Sequence, residues 1–264
     1  MDFVPVLDLV AARMAGVPVG ARTDPARWAY HLRDAIALAR PDWVVTHHDP
    51  LAEPDAVREA GGDPLDRPLA TAAAVEPLVE LTRVLAGLFP RATVAASLTG
   101  PVAMARALAG ADPGGGPAGE PAPDLVADCA DALAELASAQ VQAGARRLLV
   151  WEDAASLAGA LDPLLRRAAT LGTPVVVRGG TGPGATGGDG AGSVLHAGPD
   201  GDGGALLVDP AVVAAGSAGE SDEPFGTLWR RWRAVPGARL VLTDGPLPLD
   251  CDLGRLREAG ERPG

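Results

Sequence analysis

The chain has 264 residues and 47% apolar content, enough to bury a sizeable core as one barrel-sized domain or two small ones. Its 22 basic residues are outnumbered by 34 acidic ones, and the net charge of −12 excludes the cationic field that non-specific nucleic-acid binding needs. Every basic residue is arginine, so a Schiff-base lysine, a pyridoxal phosphate anchor and a Walker A lysine are excluded as well.

In chain order, Phe3–Leu9 reads as a first strand or a lead-in segment. Pro25–Arg40 has helical spacing, with Trp28, Leu32, Ile36 and Leu38 near one face. The Val-rich run Trp43–His47 reads as a buried strand and is followed by a Pro- and Asp-rich loop through Pro68. A helix over Val75–Phe89 precedes a strand, Thr93–Leu98, which ends in Thr99-Gly100-Pro101; Pro101 suits the first turn of a helix running to Leu108. After a Gly/Pro loop at 112–123 come a long helix, Asp124–Ala143, and a strand, Arg147–Trp151. A helix over Ser156–Leu171 and a strand over Pro174–Val177 continue the alternation.

The Gly-rich region 179–204 cannot sustain a helix at a cost near ~1 kcal/mol per interior Gly, and only Ser193–Ala197 is strand-like there. Regularity returns with a strand at Ala205–Asp209, a helix around Phe225–Ala234, a strand at Arg239–Thr243 and a helix near Asp252–Ala259. Repeated βα alternation predicts a parallel sheet with helices outside it, as a barrel or a doubly wound sheet. With eight β-like runs, the expectation is a (β/α)8 TIM barrel forming a single domain over residues 1–264, irregular or incomplete around 179–204.

Polar groups follow these strands repeatedly: His47, His48 and Asp49; Thr99; Glu152 and Asp153; Arg178; Asp209; and Asp244. If the strands are parallel, these groups converge on the C-terminal face, where barrel enzymes build their active sites. The competing reading is helix capping, which suits Asp209 before Pro210. Strand alternation would set His47 and Asp49 on one face and His48 on the other, provided the strand extends that far. His47, His48, Asp49, Glu152, Asp153 and Asp244 could also offer N and O ligands to a divalent ion in a hydrolase or lyase. Adjacent His-His-Asp is no chelating pattern in itself, however, and no metal site is assigned.

Other features have plainer readings. Cys129 and Cys251 form no CxxC pair, and Cys129 falls in a helical pattern as packing. The aromatic and basic run Phe225–Arg233 fits an amphipathic helix with Trp inward and Arg in solvent. Apolar runs are broken short of the roughly 18 residues a membrane span needs, and Met1-Asp2-Phe3-Val4-Pro5 lacks a basic signal region, so a cytoplasmic protein is expected.

Five segments, in order, give the chain a family likeness: Val4-Pro5-Val6; Asp42 to Gly61, with a strand ending in Asp49 and then Glu59-Ala60-Gly61; Leu98-Thr99-Gly100-Pro101-Val102; Ala143-Gly144-Ala145 leading into Leu149-Val150-Trp151-Glu152-Asp153; and Val241 to Pro246 with Pro248. In these it resembles the uroporphyrinogen decarboxylase family in the broad sense, which includes corrinoid-linked methyltransferases and lies near cobalamin-independent methionine synthase. The resemblance implies a (β/α)8 barrel with a deep cleft, a tetrapyrrole or methylated corrinoid as small-molecule ligand, and frequently a homodimer.

For a decarboxylase of this family no cofactor is implied, because the protonated pyrrole serves as electron sink. Asp49 would then stabilise that cation, Arg178 and Arg13 would hold substrate carboxylates, and His47 or His48 would donate the proton. Glu152, Asp153, Thr99 and Asp244 would line the substrate site. Two departures qualify the resemblance. Where the methyltransferase branch has a His-x-Cys-Gly zinc motif the chain has Arg178-Gly179-Gly180-Thr181, and a late Cys ligand is missing near Asp244. Of the decarboxylase Arg-Gln-Ala-Gly-Arg segment, Arg13-Met14-Ala15-Gly16-Val17 keeps only the first arginine. An altered member that binds a tetrapyrrole or corrinoid without turnover, or acts in methyl transfer without zinc, is the alternative reading.

Overall fold

The computed structural model describes residues 1–110, 120–152, 159–179, 194–214 and 223–262. Eight parallel strands follow one another around a nearly closed barrel: β1 (Asp2–Val6), β2 (Trp43–Val45), β3 (Thr93–Thr99), β4 (Arg147–Trp151), β5 (Val175–Arg178), β6 (Val194–Gly198), β7 (Gly204–Val208) and β8 (Leu240–Pro246). The hydrogen-bonded order runs β1-β8-β7-β6-β5-β4-β3-β2, so β1 and β2 are neighbours without a ladder between them.

Strand alternation divides the apolar residues into two layers. Val4 and Val6, Leu149 and Trp151, and Leu240 and Leu242 fill the barrel interior. Phe3, Leu148, Val150 and Val241 face outward into a shell shared with the helices. In that shell Phe3 packs edge-on against Phe225 and Trp229, with ring centroids 5.4 and 6.1 Å apart. Trp229 and Trp232 are both buried, as the amphipathic reading of this helix expects.

The helices are α1 (Asp8–Ala15), α2 (Pro25–Ala39), α3 (Ala52–Ala60), α4 (Glu76–Leu88), α5 (Pro101–Leu108), α6 (Pro123–Gln142), α7 (Asp162–Thr170), α8 (Pro210–Ala214), α9 (Phe225–Arg233) and α10 (Leu253–Gly260). Two of them correct the sequence reading. The stretch taken as loop through Pro68 contains α3, whose buried face is only Ala52, Ala56 and Val57, with Glu53 and Pro54. Pro50, Pro54 and Asp55 at its start give this short helix the composition of a loop. Residues 7–15 form no continuation of the first strand; β1 passes through Leu7 directly into α1, which ends on the left-handed Gly16.

The irregularity expected around 179–204 is located in part. Five residues, 199–203, join the parallel strands β6 and β7, with no helix between them, where parallel neighbours ordinarily need a crossover of about a dozen residues or more. Glycine makes the tight return possible: a Cβ at Gly203 would lie 2.3 Å from the His196 carbonyl oxygen, and Gly204 has φ of 90°. Residues 180–193 lie outside the described residues, as does most of the 112–123 loop.

The β1–β2 seam is held by aspartates in place of a ladder. At its lower end the Phe3 N–H donates to Asp42 Oδ2 (2.7 Å), and the Asp42 N–H donates to the Phe3 carbonyl (3.0 Å). The Trp43 indole N–H donates to Asp2 Oδ2 (2.9 Å). At the upper, C-terminal end the His48 N–H donates to Asp8 Oδ2 (2.6 Å).

Candidate active site at the barrel mouth

Parallel strands deliver their C-terminal ends to one face, and groups at the ends of β4, β5 and β8 are tied together there. From the end of β5 the Arg178 guanidinium crosses to β8, donating from Nε to Asp244 Oδ1 (2.7 Å) and from Nη2 to Oδ2 (3.3 Å). Its Nη1 donates to the Glu152 carbonyl (3.2 Å), so the end of β4 is tied in as well.

His48 is the imidazole at this mouth. Its ring stands edge-on to Trp151 at 4.6 Å and 88°. The Trp151 indole N–H donates to Ser97 Oγ (2.7 Å), which anchors the platform to β3. Burial lowers the His48 pKa; Asp49 and Asp244 act to raise it and Arg178 to lower it further. Trp151, on which the ring stands, pairs in register with Arg178 on β5.

The alternation expected of His47, His48 and Asp49 fails because β2 ends at Val45. His47 is buried, its Nδ1 hydrogen-bonded to Thr46 Oγ1 at 2.9 Å, and burial pushes its pKa down to about 4. Asp49 is bound by Arg22, whose Nη2 donates to Oδ1 at 2.6 Å and whose Nε donates to Oδ2. Arg22 also reaches Asp55 in α3 (2.9 Å). Burial works against the Arg22 charge, but the two carboxylates outweigh it and raise its pKa. Arg22 lies in the α1–α2 connection, 27 residues from Asp49, and nothing in the sequence near Asp49 announces it.

Other candidates are engaged in holding the rim. Glu152 is fully buried, and its two oxygens accept the Val102 N–H (3.0 Å) and Ala103 N–H (2.8 Å). It thereby caps α5, whose own Gly100 offers no side chain. Thr99 donates through Oγ1 to Glu53 Oε2 (2.8 Å), and burial raises the Glu53 pKa against these hydrogen bonds. Arg13 is directed at the Cys251 carbonyl, which follows β8. Asp153 lies outside the described residues.

Sequence reasoning missed Asp8. It is 3% exposed at the start of α1, and burial, opposed by the His48 N–H, raises its pKa to about 7. Its Oδ1 has no hydrogen-bond partner. The only available signal was a carboxylate after a short apolar run, Val4-Pro5-Val6-Leu7, the same pattern that marked Asp49.

Among the described residues, no group of three His, Cys, Asp or Glu side chains could hold a metal ion. Burial raises the Cys129 thiol pKa to about 12 and that of Cys251 to about 11, and neither belongs to a ligand cluster among the described residues. A separate groove of about 290 Å³ lies between the α1–α2 connection and α2, lined by Val17, Val19, Arg27, Trp28 and His31 among others; none of the strand-end residues lines it. No described helix is long and apolar enough to cross a membrane.

No protein-family profile matches the chain, and no curated protein matches it. The fold does have a solved counterpart. It is similar to a methyltransferase from Methanosarcina mazei, with a TM-score of 0.65 over 99% of this chain and 94% of that one. At 13% identity the likeness is one of fold. It shows the barrel fold that the sequence resemblance implied.

Proposed function

We propose that the barrel mouth is an active site for a small molecule and that its reaction is transfer of a methyl group to a heteroatom acceptor. The observation that carries this reading is His48, whose ring stands on Trp151 at 4.6 Å, next along the rim from the Arg178–Asp244 pair. A neutral imidazole in that position can take the proton from an acceptor's S–H or O–H as the heteroatom bonds to the methyl carbon and the donor's bond to that carbon breaks. The leaving group keeps the electron pair. The Asp49–Arg22–Asp55 cluster, two carboxylates against one guanidinium, keeps an excess negative charge for the imidazolium that has formed.

Methyl transfer is preferred to tetrapyrrole decarboxylation because of the arginines. A substrate with many carboxylates needs guanidinium groups free to grip it, whereas Arg22 and Arg178 are each engaged by a carboxylate of the chain itself. The described residues offer no ligand cluster that fits zinc, so no step is routed through it.

The test is incubation of purified protein with methylcobalamin and a simple thiol, following loss of the methylcobalamin absorbance, with uroporphyrinogen supplied in parallel. Protein-dependent demethylation, reduced about 100-fold or more in His48→Gln, is expected. Coproporphyrinogen formation, or demethylation no faster than without protein, overturns the reading.

A further inference from the structure

We propose that Asp8 is the positioning residue of this site, holding His48 in the mouth through the His48 main chain across the unsealed β1–β2 seam. The inference deepens the reading above by naming what fixes its central imidazole.

Because β2 ends at Val45 and no ladder joins it to β1, the backbone at His48 lacks the support a strand in a closed barrel would have. One contact at that end of the seam replaces it, from the His48 N–H to Asp8 Oδ2 at 2.6 Å. Asp8 is itself well fixed, being the first residue of α1 and 3% exposed. Holding the backbone at residue 48 fixes where Cβ points, and therefore whether the ring can stand on Trp151 at 4.6 Å. The carboxylate is a stronger acceptor when ionised, since a charge-assisted hydrogen bond is roughly twice as strong as a neutral one.

The groups around Asp8 make that ionisation adjustable. From the β2 end, Asp49 opposes the charge and the His48 N–H favours it; from α2, the Trp28 indole favours it without completing a hydrogen bond. His47 and His48 are the titratable neighbours along the β2 end, and Arg22 neutralises Asp49 from the α1–α2 connection. With Oδ1 unpartnered, Asp8 spends its hydrogen-bonding on His48 alone among the described residues. Burial has brought its pKa to about 7, so the clamp loosens as pH falls through neutrality.

The experiment is an NMR pH titration of the full chain, labelled with 15N, reading the His48 amide proton, in wild type, Asp8→Asn and Asp8→Ala. Asparagine keeps an acceptor oxygen but cannot ionise, so it preserves the fold even if Asp8→Ala does not. The expected result is a downfield His48 amide that moves upfield as pH falls through about 7 in wild type and shows no such step in Asp8→Asn. In the methyl-transfer assay, Asp8→Ala should lower kcat by up to about 100-fold with little change in KM, and Asp8→Asn should restore most of it while flattening the pH profile. A His48 amide that titrates identically in wild type and Asp8→Asn overturns the proposal. An amide step that is present without methyl transfer sinks the functional reading and leaves the positioning role standing.

Discussion

Arg178 and Asp244 form a two-point ion pair that joins β5 to β8 across the barrel mouth, although 66 residues separate them in the chain. Neither group is deeply buried, with side chains 29% and 34% exposed. The pair should therefore contribute about 1 kcal/mol or less to stability. A double-mutant cycle with Arg178→Met and Asp244→Asn, read by urea denaturation, checks this. A coupling well above that figure would mean that the rim is drier than its exposure indicates. If the pair belongs to the active site, either single variant should depress turnover far more than it depresses stability.

Gly100 and Glu152 make a second, sterically strict contact. A Cβ at residue 100 would lie 2.5 Å from Glu152 Oε2, the oxygen that accepts the Val102 N–H. Gly100→Ala should displace the carboxylate and uncap α5, and Glu152→Ala should leave those two buried N–H groups without partners. Each is expected to cost about 1–3 kcal/mol, measured as a lowered urea midpoint with the m-value unchanged. Combining the two should cost less than their sum, because both remove the same cap.

The barrel was legible in the sequence because short continuous apolar runs such as Arg147–Trp151 alternate with amphipathic stretches such as Phe225–Arg233. In α3 the period is present, but the helix is only nine residues long and begins Ala52-Glu53-Pro54-Asp55 straight after Asp49-Pro50, a composition that reads as loop. The site was legible only as a set of positions. The pattern of polar groups after strands picked out Arg178 and Asp244, which pair with each other, and His48, which stands on Trp151. It could not distinguish them from Glu152, which lies at an identical strand end and caps a helix, because the difference is whether a neighbouring N–H is in reach. Asp8 and Arg22 were missed for the converse reason: their importance comes from β2 stopping early and from a connection folding back, and both are tertiary events.

Arg22 pins the α1–α2 connection to the mouth through Asp49 and Asp55. Without it, residues 16–24 keep few ties, and Asp49 loses the cation that neutralises it. Arg22→Ala should therefore increase limited proteolysis within that connection while the global melting temperature falls by only a few degrees. It should also raise the His48 pKa, since the negative charge of Asp49 would be unopposed. Histidine NMR titration provides the second measurement, and a His48 pKa that falls or stays put would contradict the arrangement of charges.

Asp8 and His47 give the protein two opposed pH dependences over nearly the same range. The native Asp8 pKa, about 7, lies above its ordinary value, so between about pH 4 and 7 the folded state binds more protons than the unfolded chain, and stability falls as pH rises. The native His47 pKa, about 4, lies below its ordinary value, so from about pH 4 to 6.5 the unfolded chain binds more protons, and stability rises with pH. At roughly 1.4 kcal/mol per pKa unit the two slopes are similar in size and opposite in sign, so together they nearly cancel. Asp8→Asn removes one of them. The variant should be more stable than wild type above pH 7, by up to about 4 kcal/mol if the His48 hydrogen bond is kept, and should lose that advantage steadily toward pH 4. Chemical denaturation at pH 4.5, 6 and 8 measures this directly. A variant less stable than wild type at pH 8 would show that the ionised carboxylate gains more from His48 than burial costs it.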